Sequence, residues 1–120
     1  GRVDDMIIIR GVNVFPSEIE HHLLRVTELA PHYQLYRFNH GHLEAVELHA
    51  EVTEYFYNVI GGDLQSEQAV ALVRRVQSLL KTNCLISMAV RLHPPKTLPR
   101  SEGKAVRVID RRQSEVKQSI

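Results

Sequence analysis

The sequence predicts an α+β domain of the ferredoxin-like, split βαβ kind. Its βαββαβ order implies an antiparallel sheet with two helices on one face, followed by a lysine-bearing loop and a tail. Three observations predict it. Apolar and polar residues alternate along 46–52 and again along 86–92, the period of a strand with one wet face. Apolar residues recur at spacings of three and four after Phe15-Pro16 and after Ser66, as on the buried stripe of a helix. Glycine, proline and asparagine collect between these segments, where turns are needed.

The elements follow in order. Met6-Ile7-Ile8-Ile9 is apolar and largely β-branched, bounded by Asp4-Asp5 and Arg10-Gly11, and predicts the first strand. Gly11 allows a tight reversal, so that Val12-Asn13-Val14 pairs back as a small hairpin. Pro16 suits a helix's first turn, and Glu18 and Glu20 favour its positive end. Ile19, Leu23 and Val26 then form a core-facing stripe, and the helix is expected to stop before Pro31. Residues 33–38, aromatic-rich, and the alternating 46–52 predict an antiparallel hairpin across Asn39-His40-Gly41-His42. There Val46, Leu48, Ala50 and Val52 face inward, while Glu47, His49 and Glu51 face water.

Tyr55, Phe56, Tyr57 and Val59 are expected to cover a core edge before Gly61-Gly62 breaks the segment. A second helix begins near Asp63 or Ser66, either of which can cap it, and ends near Asn83. Its predicted stripe is Val70, Val73, Val76, Leu79 and Leu80. The last strand sets Ile86, Met88, Val90 and Leu92 against Ser87, Ala89 and Arg91, and stops at Pro94-Pro95.

The 120 residues suit one domain, and a chain of this length buries roughly two thirds of its unfolded surface on folding. Fifteen basic against fourteen acidic residues leave a charge of +1, which gives no general attraction to nucleic acid or to an anionic membrane. Residues 91–117 are locally basic, with eight Lys or Arg against three acids. The single cysteine, Cys84, excludes an internal disulfide and reads as a buried filler. No run approaches the length of a membrane span and no signal peptide is visible, so the expected setting is cytoplasmic. Seven histidines fall at no metal-ligand spacing and no HExxH occurs, so no metal site is expected. Nor does any segment resemble a nucleophile elbow.

Two stretches carry a resemblance. The run Leu98-Pro99-Arg100-Ser101-Glu102-Gly103-Lys104-Ala105-Val106-Arg107-Val108-Ile109-Asp110-Arg111 resembles the closing motif of the phenylacetate-CoA ligase family, within the adenylate-forming acyl-CoA ligases. The opening 1–20, from Gly1-Arg2-Val3-Asp4-Asp5 through Arg10-Gly11 to Phe15-Pro16-Ser17-Glu18, is similar to the start of that family's small C-terminal domain. Both ends match in the family's order. A chain that opens at Gly1 inside such a motif reads as a fragment of a longer product.

The resemblance implies one mobile C-terminal domain over 1–120, with a hinge segment at 1–5 and a catalytic lysine loop at 94–106. Lys104 would be the adenylation lysine, reaching the carboxylate and the α-phosphate region of ATP. A cation placed in advance gains most where negative charge gathers on the oxygens of pentacovalent phosphorus. Asp4 would be the hinge about which the domain swings between adenylation and thioester formation. Arg10 and Gly11 would lie on the loop presented in the second arrangement, where CoA passes. Gly103 lies where a loop can cradle phosphate oxygens, and Arg100, Arg107, Arg111 and Arg112 read either as solvated or domain-facing charges or as contacts to the nucleotide part of CoA.

The implied partners are an N-terminal adenylation domain of the same polypeptide, an aryl carboxylic acid, ATP and CoA, with Mg2+ carried by ATP outside this chain. Neither nucleic acid nor membrane is implied, and a dimer stays open. The isolated domain is expected to be inactive, and to show exposed apolar residues within 1–16 or 94–110 where its partner packs. The sequence departs from the family pattern at Pro94-Pro95-Lys96-Thr97, where a Pro-Gly pair usually precedes Leu-Pro-Arg. It departs again at Val106, where a second basic residue is common.

Two other readings use the same fold. A small-molecule-binding regulatory module would leave the Lys104 loop without a purpose. An RNA-binding module would need exposed aromatics on the two central strands, a requirement that the face of the sheet away from the helices can test.

Overall fold

The computed structural model describes residues 6–99 and 106–112. The chain folds as α+β, with a mixed four-stranded sheet, flanking helices and a separate two-stranded ribbon.

The ribbon comes first. β1 (Ile7–Ile9) pairs antiparallel with β2 (Val12–Val14), Ile9 opposite Val12, across the two-residue turn Arg10-Gly11. Both turn residues have positive φ, 49° at Arg10 and 80° at Gly11. This is the sign pattern of a type I′ turn, whose twist suits two right-handed strands. Ile9 and Val14 point into the core, whereas Ile8 is 52% exposed.

Helix α1 (Pro16–Leu23) starts as the sequence predicts, with Pro16 in its first turn and Glu18 near its N-terminus. It ends at Leu23, before Pro31 as expected but early enough to leave Val26 outside the helix. Successive backbone bonds from Arg25 to His22, Val26 to Leu23 and Leu29 to Val26 turn the chain instead. Val26 is still buried, but from this turn rather than from a helix. Strand pairing decides the boundary: β3 (Leu29–His40) begins before the proline, and the register against β4 (Leu43–Val52) shifts between Leu29 and Tyr33, so Pro31 sits at an irregularity. A proline is tolerated there because it has no ladder hydrogen bond to donate.

A short helix not foreseen in the sequence, α2 (Glu54–Val59), follows, its N-terminus capped by Thr53 Oγ1 accepting from Phe56 N–H at 3.1 Å. It delivers Phe56 to the core, and Gly61 and Gly62 leave it with φ of 64° and 73°. Of the two cap candidates for α3 (Glu67–Cys84), Ser66 is the one used; its Oγ accepts from Ala69 N–H at 3.2 Å. The buried stripe is Ala69, Leu72, Val76 and Leu80: Val76 and Leu80 are as predicted, Ala69 and Leu72 replace Val70 and Val73 as its buried members, and Val70 is exposed. Leu85, not Asn83, closes the helix, in left-handed conformation at φ 59°.

β5 (Ala89–His93) and β6 (Val106–Asp110) complete the sheet, whose order is β5-β4-β3-β6. β3 and β4 are antiparallel, but β5 runs parallel to β4 and β6 parallel to β3. The expected antiparallel sheet is thus mixed, and the ferredoxin-like order is not what these pairings give. The predicted first strand pairs in the ribbon instead. β4 and β5 therefore pair directly, with no strand between them, and the edge beside β3 is occupied by β6, which lies in the run that the sequence reading treated as loop and tail.

The register puts Leu35, Leu48, Ala50 and Val90 on the same face of the sheet, and they join Ile19 and Leu23 of α1 with Leu72, Val76 and Leu80 of α3 in one core. Gln34, Tyr36, Glu47, His49, Glu51, Arg91 and His93 therefore lie on the far face.

Candidate functional site

Of the predicted site residues, Asp4, Arg100, Gly103 and Lys104 lie outside the described residues, as does Asp5. Arg10 and Gly11 form the exposed tip of the ribbon. What the structure adds is the framework from which these segments leave the fold.

At one end of the sheet, Arg37 ties the ribbon down. Its guanidinium donates to Ile8 O at 3.2 Å and, from Nε, to Glu44 Oε2 at 3.0 Å, with Nη2 also on that carboxylate. The side chains of Arg37 and Glu44 are 10% and 20% exposed, so this pair is largely withdrawn from water. Arg112 Nη1 approaches the same Glu44 oxygen at 3.5 Å. Arg112 also grips Asp110 through side-chain and backbone hydrogen bonds, which hold the Asp110 carboxyl down to about 2. Arg111 lies over the Tyr36 ring, 5.2 Å from its centroid. Both arginines therefore have partners within the domain.

The lysine-bearing segment leaves from the opposite end. β5 ends at His93, opposite Glu51, and β6 begins at Val106, opposite Tyr33; Tyr33 pairs with Ala50, so both junctions are at one end. Because β5 and β6 occupy opposite edges, the connection has to cross three interstrand gaps, about 14 Å. Along β3 the two ends, at Tyr33 and Arg37, are four residues or about 13 Å apart.

Where the connection starts, it passes over Glu51. This side chain is 1% exposed and accepts from Lys96 N–H and Leu98 N–H, each at 2.8 Å. Lys96 has φ 63°, left-handed for a non-glycine residue. Period-two reading assigned Glu51 to the wet face. Its burial comes from partners 45 and 47 residues away, and no local signal announces them.

Beside Glu51 the far face carries a chain of contacts. His49 Nδ1 lies 2.7 Å from His93 Nε2, His49 Nε2 lies 2.8 Å from Glu47 Oε1, and Arg91 Nε lies 3.0 Å from Glu47 Oε2. Burial lowers the His93 pKa and the neighbouring His49 lowers it further, against the pull of Glu51. Burial alone would raise the Glu47 carboxyl, but hydrogen bonds to His49 and Arg91 bring it below its ordinary value. On this face β3 carries Tyr36 and Phe38, both half-buried, and Tyr36 is packed against the His49 ring of β4, centroids 4.5 Å apart. The bare, exposed aromatic face that RNA binding requires is thus not presented by the described residues of the two central strands. Nor does any group of three potential metal ligands occur among the described residues, and none of their helices is long and apolar enough to cross a membrane.

An exposed apolar surface lies on the ribbon and its exit, with Met6, Ile8 and Phe15 at 43%, 52% and 42%. This meets the expectation for residues 1–16.

Residues 11–112 match the family described as AMP-binding enzyme C-terminal domain. The chain belongs to that family. A domain of phenylacetate-coenzyme A ligase from Bacteroides vulgatus ATCC 8482 superposes with a TM-score of 0.78 at 33% identity, over 92% of this chain and 96% of that one. The phenylacetate-coenzyme A ligase of Thermus thermophilus is 43% identical over 93% of this chain but 27% of its own length. An open conformation of 2-hydroxyisobutyryl-CoA ligase, in complex with 2-HIB-AMP and CoA, gives a TM-score of 0.70 at 25% identity, over 92% of this chain and 22% of that one. The chain spans about a quarter of the length of the curated relatives it matches. The match corresponds to the C-terminal domain of phenylacetate-CoA ligases.

Proposed function

We propose that this chain is the mobile C-terminal portion of an acid-CoA ligase acting on an aryl acid, with phenylacetate the substrate suggested by its relatives. ATP and the acid would give an acyl-adenylate and pyrophosphate; CoA would then displace AMP to form the thioester. The pocket for the acid and most of the ATP site would lie in an N-terminal domain of the same polypeptide, with Mg2+ bound there as the ATP complex.

Lys104 is the residue assigned to adenylation. Its compact charge on a flexible stem suits the oxygens on which negative charge develops, with Arg100 and Gly103, both just ahead of it in the chain, for nucleotide contacts. Arg10 and Gly11 are assigned to the thioester-forming arrangement, the glycine allowing close approach of the pantetheine chain. Asp4 is the hinge residue, since a change of backbone dihedrals at one junction suffices for a large domain rotation. The exposed apolar ribbon of Met6, Ile8 and Phe15 would pack against the N-terminal domain.

One observation carries this reading: the ribbon is tied to the sheet at Arg37, whereas the lysine segment departs beside Glu51 and Tyr33, at the other end. A domain that offers two surfaces in turn to one active site needs them apart, and a rotation then exchanges one for the other.

The test is Lys104→Ala in the full-length ligase. Pyrophosphate release dependent on the carboxylate is expected to fall by at least about 100-fold, with much less effect on thioester formation from supplied acyl-adenylate. Equal losses in the two half-reactions would overturn the assignment.

A further inference from the structure

We propose that Glu51 is a positioning residue for the segment that carries Lys104, holding its base in place for the adenylation step. The inference rests on the role given to Lys104 above.

Glu51 sits near the end of β4 with its side chain on the far face, and the whole residue is 1% exposed. Each of its oxygens has its own amide: Oε1 accepts from Lys96 and Oε2 from Leu98, both at 2.8 Å. Hydrogen bonds from N–H groups to an ionised carboxylate are among the stronger ones. Two of them on separate oxygens fix the orientation of the segment as well as its position. The backbone at Lys96, with φ 63°, turns the chain between the two donors. Leu98 is buried as well, at 8%, and Thr97 Oγ1 donates to Pro94 O at 2.6 Å, closing the turn on itself.

Burying a carboxylate is unfavourable unless its lone pairs are used, and an apolar side chain would bury here more easily. What the carboxylate provides instead is a rigid attachment between the central strand β4 and the start of the connection, whose described residues 94–99 otherwise have only turn structure. Lys104 is six residues beyond Leu98, a contour of about 20 Å at most. The reach of Lys104 is therefore measured from Leu98, and displacement of a reacting group by about 1 Å can cost on the order of 100-fold in rate.

The experiment uses the full-length ligase with Glu51→Gln, Glu51→Asp, Lys104→Ala and the double variant Glu51→Gln/Lys104→Ala. Glutamine keeps the shape but presents one oxygen and one NH2 group to two N–H donors; aspartate keeps the charge with a shorter reach. Glu51→Gln is expected to lower kcat for pyrophosphate release about 10- to 100-fold, with KM for ATP changed less than 3-fold and thioester formation from supplied acyl-adenylate nearly unchanged. Glu51→Asp should fall between wild type and Glu51→Gln. Amide hydrogen exchange at Lys96 and Leu98 should quicken at least 10-fold in Glu51→Gln while that of Leu48 and Val76 stays slow. In the Lys104→Ala background Glu51→Gln should cost little more, because the group it positions has gone.

Equal loss in both half-reactions, or full additivity with Lys104→Ala, would overturn the positioning role. Unchanged exchange at Lys96 and Leu98 would overturn the attachment itself. If Lys104→Ala shows no preference for adenylation, the reading of Lys104 fails, and the positioning role falls with it even where exchange shows the attachment intact. If Glu51→Gln does not fold, Glu51→Asp decides: quicker exchange with selective loss of adenylation supports the role, and wild-type behaviour in both overturns it.

Discussion

Arg37→Met would test whether the ribbon is held to the sheet by a buried ionic contact. Arg37 makes two hydrogen bonds to Glu44 and one to Ile8 O, with its side chain 10% exposed and that of Glu44 20%. Removing one member of a largely buried pair costs about 3–5 kcal/mol, because the other charge is left without compensation. Here Arg112 Nη1 stands 3.5 Å from the same carboxylate oxygen on a side chain that is 40% exposed. Its charge shields Glu44 in part and places the expected loss near the lower end, about 3 kcal/mol. For a chain of this length that corresponds to a fall in Tm of about 12 °C, at roughly 4 °C per kcal/mol. Urea unfolding of the isolated domain provides the assay; a related domain of comparable extent has been crystallised by itself. Arg37→Met/Glu44→Gln should lose much less than the sum of the single variants. Amide exchange within 7–14 should rise more than in β4, since Ile8 loses its anchor. A loss of 0.5 kcal/mol or less in Arg37→Met would refute the reasoning, because the pair would then behave as an exposed one.

Two further expectations concern the far end of the sheet. Lys96→Val should destabilise the domain by about 1–2 kcal/mol, since φ 63° is poorly tolerated by a β-branched residue. Lys96→Gly should stay within about 0.5 kcal/mol of wild type, and equal losses in the two variants would point instead to the exposed Lys96–Glu54 pair. For His93, burial and then His49 hold the folded-state pKa below 6.5. The unfolded chain therefore binds this proton more readily, and the stability contributed is complete above pH 6.5 and lost as pH falls toward the lower, folded-state value. Urea midpoints measured from about pH 7.5 to 5 should decline in wild type and decline less in His93→Gln; parallel curves would exclude His93 as the source.

Much of the fold is legible because the relevant forces are local. The alternation at 46–52 gives β4, Ser66 gives the start of α3, and Arg10-Gly11 gives the turn of the ribbon. Where the reading fails, a distant partner decides. Helix α1 stops at Leu23 because Leu29 joins Val52 in the sheet, a contact that no window of neighbouring residues contains. The stripe of α3 includes Ala69, whose small side chain is a weak signal of burial. β6 is parallel to β3, with Val106 opposite a residue 73 positions earlier, and the same distance hides the mixed character of the sheet. At the candidate site, the motif around Lys104 carries the resemblance to the family, whereas the burial of Glu51 becomes visible only when the chain doubles back over it.

The placement of β5 and β6 on opposite edges has a consequence for how such a domain can be retuned. The span between Pro99 and Val106 lies between two fixed points, one anchored at Glu51 and the other in a strand. Entropy of closure grows only slowly with length, so that even doubling a flexible connection costs about 0.6 kcal/mol. Each added residue nevertheless extends the contour by about 3.3 Å. Stability and reach are thus separately adjustable: insertions there are expected to leave the core and its register alone while lengthening the span between the Glu51 attachment and β6.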